Sequence, residues 1–177
     1  YDKQHVSLSS LPGMKEHTIL VNGFSKSHAM TGWRLGYSCA PAEITAAMTK
    51  IHQYTILCAP TLSQYAAIEA LQCGERAVAD MRAEYQKRRD LIVNGFNSLG
   101  LKTLIPEGAF YAFADVSGTG MDSESFCMGL LAEEKVAVVP GTAFGECGEG
   151  FIRASYASSM QKIETALHKM ESFLKRR

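Results

Sequence analysis

Neither sign of charge is in excess in this chain: Lys and Arg number 18, Asp and Glu number 18, and the net charge at pH 7 is zero. There is no basic block, so an electrostatic partner such as nucleic acid has no support. The basic end Lys175-Arg176-Arg177 is short and reads as a frayed helix end. No apolar run approaches the length needed to span a membrane, and no signal peptide is visible. Cysteines are few and scattered. Cys39, Cys58, Cys73, Cys127 and Cys147 show no C-x-x-C spacing, which argues against a zinc site or a disulfide scaffold and suits reduced thiols in a cytoplasm. Repeats and low-complexity segments are also missing. What remains, 46% hydrophobic and 20% charged residues over 177 positions, is an ordinary globular composition with room for one domain or parts of two.

The informative stretch is Thr18 to Pro41. An apolar run, Ile19-Leu20-Val21, suits a buried strand and breaks at Asn22-Gly23. Ser25-Lys26-Ser27 follows on a loop, and Leu35-Gly36-Tyr37 begins a second apolar run. A lysine and an arginine, Lys26 and Arg34, thus share one connection between two strands, eight residues apart. Read alone, they are two solvated surface cations.

The full string, Ser25-Lys26 followed by Thr31-Gly32-Trp33-Arg34-Leu35-Gly36-Tyr37, resembles the cofactor-lysine motif of class I/II aminotransferases. These are pyridoxal-phosphate (PLP) enzymes of the aspartate aminotransferase fold. The resemblance implies that Lys26 binds the aldehyde of PLP covalently and later shuttles a proton at the substrate α-carbon. Only a primary amine does this, and it becomes a nucleophile once burial or a neighbouring cation lowers its pKa. Arg34 is implied to grip the phosphate, since its planar fork meets two oxygens at once and keeps its charge. Ser25 adds a hydroxyl donor to the same phosphate. Some relatives have a phosphate-binding Ser or Thr where this chain has Gly23. His28, close to the lysine, reads as a packed or solvent-facing histidine.

The rest of the chain alternates helical and strand patterns. Tyr1 to His17 is a polar connection with a Pro12-Gly13 turn. Pro41 suits a first helical position, and Ile44, Ala47, Met48 and Ile51 keep helical spacing to about Gln53 or Tyr54. A second helix is expected from about Leu62 to Gln72, ending at Cys73-Gly74. The longest pattern, Glu75 to Ser98, carries an apolar stripe of Val78, Met81, Tyr85, Ile92, Phe96 and Leu99 with a gap at Arg88-Arg89, which read as a solvated face. Strands are expected over Lys102–Ile105, Ala109–Ala114 and Val136–Val139. Phe110 and Tyr111 lie on the second of these, in a G-A-F-Y string that resembles an aminotransferase segment near the substrate; as strand aromatics they read first as core. Asp122 or Ser123 caps a helix with Phe126, Leu130 and Leu131, and Ser158 with Gln161 makes a capping box for a last helix.

Glycines at 141, 145, 148 and 150 are not followed by a helix pattern, so they read as a flexible loop and not as a phosphate cradle. The loop leads to Arg153, an arginine inside the apolar run Ile152 to Ala157. Such a residue either faces outward or meets an anion. The family resemblance implies the second, with Arg153 clamping the α-carboxylate of an amino-acid substrate.

Together these readings predict an α/β chain: the edge of the large-domain sheet of a PLP-dependent transferase plus a C-terminal small α+β domain. Residues 1–74 are expected to be the end of the large domain, 75–98 a bridging helix and 99–177 the small domain. The implied function is transamination between an α-amino acid and a 2-oxo acid with PLP and no metal, by a cytoplasmic homodimer that touches neither nucleic acid nor membrane. In the family the interruption between these two helices faces the cofactor site of the neighbouring subunit, which makes Tyr54 to Thr61 a dimer-interface candidate; from the residues alone it reads equally as a plain helix–helix turn. The aspartate that holds the cofactor's ring nitrogen belongs to a D-x-x-Y string; Asp2 does not fit, because His5 stands where the tyrosine would be. The chain is therefore expected to be the C-terminal part of a longer enzyme and inactive alone. A β-lyase, decarboxylase or racemase on the same scaffold, a sensing domain of a transcription regulator, and a purely structural fragment that binds no cofactor are the competing readings.

Overall fold

A computed structural model describes residues 1–177. They form two compact units, Lys3–Met81 and, with Tyr1–Asp2, Arg82–Arg177.

In the first unit β1 (Leu20–Gly23) pairs antiparallel with β2 (Gly36–Cys39), Leu20 opposite Cys39 and Gly23 opposite Gly36. The closing position needs glycine, since a Cβ on Gly36 would lie 2.8 Å from the Asn22 carbonyl oxygen. Between the strands run the four-residue helix α1 (Phe24–Ser27) and a single 3₁₀ turn, Thr31–Trp33. The expectation that Ile19 to Val21 is buried fails: Val21 is 77% exposed. The sheet holds two strands, whose residues are half-buried at most. Helices α2 (Ala42–Thr55) and α3 (Thr61–Cys73) follow. Pro41 stands just before α2 rather than inside it, and α2 buries no residue, its Ile44 and Ile51 included. The small core consists of Phe24, Met30 and Ala67, with Leu35, Ala66 and Ala70 against it. Helix α4 (Glu75–Ser98) has the predicted bounds, and the boundary between the units falls within it.

The second unit is a three-stranded antiparallel sheet in the order β3-β5-β4, with β3 Tyr111–Asp115, α5 Ser123–Glu134, β4 Val139–Pro140, β5 Phe151–Ser155 and α6 Met160–Leu174 in chain order. Period-two alternation sends Ala112, Ala114, Ile152 and Ala154 into a core with Phe96, Phe126, Leu130, Tyr156 and Phe173. The predicted strand 102–105 reduces to one bridge, Thr103 to Ala114, and Leu104 and Ile105 stay exposed. Likewise only Val139 of the run 136–139 joins the sheet. Asp122 caps α5 by accepting the Ser125 N–H at 2.7 Å, as predicted. For α6 the cap is Ser159, one residue later than predicted.

Candidate functional site

The Lys26 connection is built from its buried ends inward. The Phe24 N–H donates to the Leu35 carbonyl at 3.3 Å, and the Met30 N–H donates to the Phe24 carbonyl at 3.3 Å. With both side chains buried, these bonds fold residues 24–35 back on themselves. Lys26 lies on α1 with its side chain exposed, and Ser25 beside it is half-buried. His28 packs, as expected: its Nδ1 is 2.9 Å from the Ser27 hydroxyl, and its ring lies 5.4 Å from that of Phe24.

Arg34 follows the 3₁₀ turn with φ 52° and ψ 51°, the left-handed region that an arginine enters only at a cost. Two bonds hold it there. The Ser63 hydroxyl, buried on α3, donates to the Trp33 carbonyl at 2.7 Å, and the Arg34 Nη1 donates to the Thr31 carbonyl at 3.0 Å. Ser63 was not singled out in the sequence; the only signal was a small polar residue on an apolar helix face. Neither Lys26 nor Arg34 enters an ion pair. The first unit therefore brings Ser25, Lys26 and Arg34 onto one closed connection, with an amine, a guanidinium and a hydroxyl that no internal anion neutralises.

Arg153 belongs to the second unit. Between inward Ile152 and Ala154, it lies on the outward face of the sheet, opposite Phe113 on β3 and Val139 on β4. Its guanidinium carbon is 4.2 Å from the centre of the Tyr111 ring and 4.3 Å from that of Phe144. It is half-buried and has no carboxylate partner. Tyr111 is thus an arginine contact, while Phe110 stacks on Tyr85 at 5.8 Å.

Arg89 corrects the reading of a solvated Arg88-Arg89 face. Its side chain is 6% exposed and reaches Asp2 and Asp90, each at 2.9 Å, with the Tyr1 ring 4.7 Å away. The hydrogen bond from Arg89 holds the Asp2 carboxyl below the usual carboxylate range. Tyr156 donates to the Ala109 carbonyl at 3.1 Å, Tyr1 donates to the same oxygen, and burial raises both phenols above their ordinary value. A signal for Arg89 was present: positions 85, 89, 92 and 96 keep helical spacing, so residue 89 fills the gap in the apolar stripe and must be neutralised there.

All five cysteines are free, and burial pushes the Cys127 thiol up to about 11. No group of side chains is arranged to hold a metal, and no helix is long and apolar enough to cross a membrane.

This arrangement of elements matches solved aminotransferases. The aromatic aminotransferase of Pyrococcus horikoshii superposes with a TM-score of 0.95 at 49% identity, over 100% of this chain and 48% of that one. The match defines the class: part of the aspartate aminotransferase type of α/β fold. The chain belongs to the aminotransferase class I and II family, whose model matches residues 2–170. Among curated proteins, the putative aminotransferase YugH of Bacillus subtilis is 51% identical over 174 residues, 98% of this chain and 45% of that protein. Aspartate aminotransferase of Pyrococcus abyssi is 49% identical over 176 residues, again 98% and 45%. The chain thus spans a little under half the length of the relatives it matches.

Proposed function

We propose that this chain is the lysine-bearing part of a PLP-dependent aminotransferase that moves an amino group between an α-amino acid and a 2-oxo acid. The observation that carries the reading is Lys26 and Arg34, neither in an ion pair, with Ser25 on the single connection between β1 and β2. That donor set fits pyridoxal phosphate: one primary amine for the aldehyde, one guanidinium and one hydroxyl for the phosphate. Family membership over residues 2–170 supports the same chemistry.

In this reading Lys26 would hold the cofactor covalently and, once the substrate amine displaces it, its freed Nζ would carry the proton to and from the substrate α-carbon. Arg34 and Ser25 would hold the phosphate, and the Thr31 carbonyl fixes one corner of the Arg34 fork. Arg153 pairs with the substrate α-carboxylate through two parallel N–H bonds and so orients the α-C–H bond. When bound, PLP supplies the electron sink that makes that α-proton removable. The ring-nitrogen aspartate of a D-x-x-Y string is not among these residues. By itself, then, the 177-residue chain is expected not to transaminate.

Two further assignments follow the family. Residues 1–74 are the end of a large cofactor-binding domain, 75–98 a bridging helix and 99–177 a small domain. The working protein is a homodimer in the cytoplasm, a compartment the unpaired cysteines suit. Relatives named for aspartate and for aromatic amino acids stand at the same 49% identity, so the substrate is proposed as an α-amino acid without a narrower class. Trapping with pyridoxal phosphate and borohydride, then peptide mapping, is expected to label Lys26. Incorporation confined to other lysines, or undiminished in Lys26→Arg, overturns the assignment.

A further inference from the structure

We propose that Phe144 and Tyr111 are positioning residues, which hold the Arg153 guanidinium so that its whole donor fork is presented to the substrate carboxylate. The inference rests on the reading of Arg153 given above and adds what keeps that arginine in place.

An arginine on a strand has several rotatable bonds, and free rotation costs affinity when a carboxylate must be met in one geometry. Ion pairing would fix the side chain but would occupy the donors. Arg153 is instead held by two aromatic rings, at 4.2 and 4.3 Å, without spending an N–H on a carboxylate or carbonyl. Cation–ring attraction is strong enough to select one arrangement where water is partly excluded.

Tyr111 is fixed because it lies on β3. Phe144 needs a separate explanation, since it ends a short 3₁₀ segment, Gly141–Phe144, in the stretch read from sequence as a flexible loop. That stretch forms two 3₁₀ turns and is tied by specific contacts. Gly141 and Gly148 lie back to back: a Cβ on either would stand 2.1 Å from the other's carbonyl oxygen. The loop end is tied to the start of α5. The fully buried Ser123 hydroxyl accepts the Phe151 N–H at 3.1 Å, and the Glu149 carboxylate accepts the N–H groups of Ser123 and Gly150, each at 3.0 Å. Phe144 also meets the Phe113 ring edge-on at 5.6 Å, and Phe113 is the residue paired with Arg153 across the sheet. The glycine contact, the Ser123–Glu149 tie and the β3 register thus converge on one side chain.

Two measurements test this. In the ¹⁵N-arginine-labelled chain, the Arg153 Nε–H proton, assigned by its loss in Arg153→Lys, is expected to be ring-shifted upfield. It should move downfield in Phe144→Leu and stay in Phe144→Tyr, which keeps the ring. Tyr111→Leu provides the same test if Phe144→Leu does not fold. A resonance unmoved by either leucine variant overturns the clamp. In the holoenzyme, with L-aspartate and L-phenylalanine as amino donors, Phe144→Leu is expected to raise KM about three- to tenfold with kcat nearly unchanged, and Phe144→Tyr to restore it. An unchanged KM in Phe144→Leu beside a raised one in Arg153→Lys refutes the positioning role alone. An unchanged KM in Arg153→Lys refutes the carboxylate reading itself.

Discussion

The two units keep very different amounts of apolar surface from water. The second buries Phe96, Phe126, Tyr156 and Phe173 among many smaller side chains, whereas the first buries Phe24, Met30 and Ala67 and leaves Tyr54, Leu57 and Leu62 more than three-quarters exposed. Yet the first unit carries the cofactor-lysine motif. In this chain, which spans under half the length of its relatives, that connection is closed by a few backbone bonds and one buried serine. Arg153 has the opposite support: a packed sheet and two rings.

The contrast can be broken most sharply in the core. Phe96→Ala is expected to lower stability by about 3–5 kcal/mol in urea unfolding followed by far-UV circular dichroism. Ile51→Ala, a truncation on the 66% exposed α2 position, should stay within about 0.5 kcal/mol. Equal losses would show that burial in this chain does not rank its units. A smaller effect is expected at the glycine contact of the second unit. Gly141→Ala places a methyl against backbone and should cost about 1–3 kcal/mol, with exchange of the Phe151 amide accelerated. An unaltered Phe151 amide would mean that the loop closes without that contact.

The smallest effect is set by pH. The Asp2 carboxyl titrates below its unfolded value because Arg89 hydrogen-bonds to it, so the unfolded chain binds the proton more readily. The contribution is whole above the unfolded carboxylate range, near pH 4, and is lost as pH falls through the lower folded value. Asp2→Asn should flatten the acid limb of the stability curve and leave its shape at neutral pH unchanged. An identical acid limb in both proteins would remove Asp2 from the account.

The helices were largely legible in the sequence because their signals are local, as the string that carries the proposed site also is. The bounds of α4, the Asp122 cap and the Lys26–Arg34 spacing depend on residues a few positions apart. What was not legible depends on distant partners. An apolar stripe such as Ile44, Met48 and Ile51 identifies a helix without saying whether anything covers it. Lys102 to Ile105 has strand composition but finds one partner, Ala114. The order in residues 141–150 comes from Gly148 meeting Gly141 and from Ser123 on another element, neither of which leaves a local pattern. Arg34 is the intermediate case: the role proposed for it rests on the motif, but its left-handed backbone followed from nothing in the string.

The exposed leucines, isoleucines and tyrosines of α2 and α3 also determine how a purified sample of this chain behaves. At neutral pH the molecule has no net charge to keep its copies apart, so sticky collisions between those helices go unopposed. Solubility should pass through a minimum around neutrality and recover on either side, and sulfate should precipitate the sample sooner than chloride at matched ionic strength.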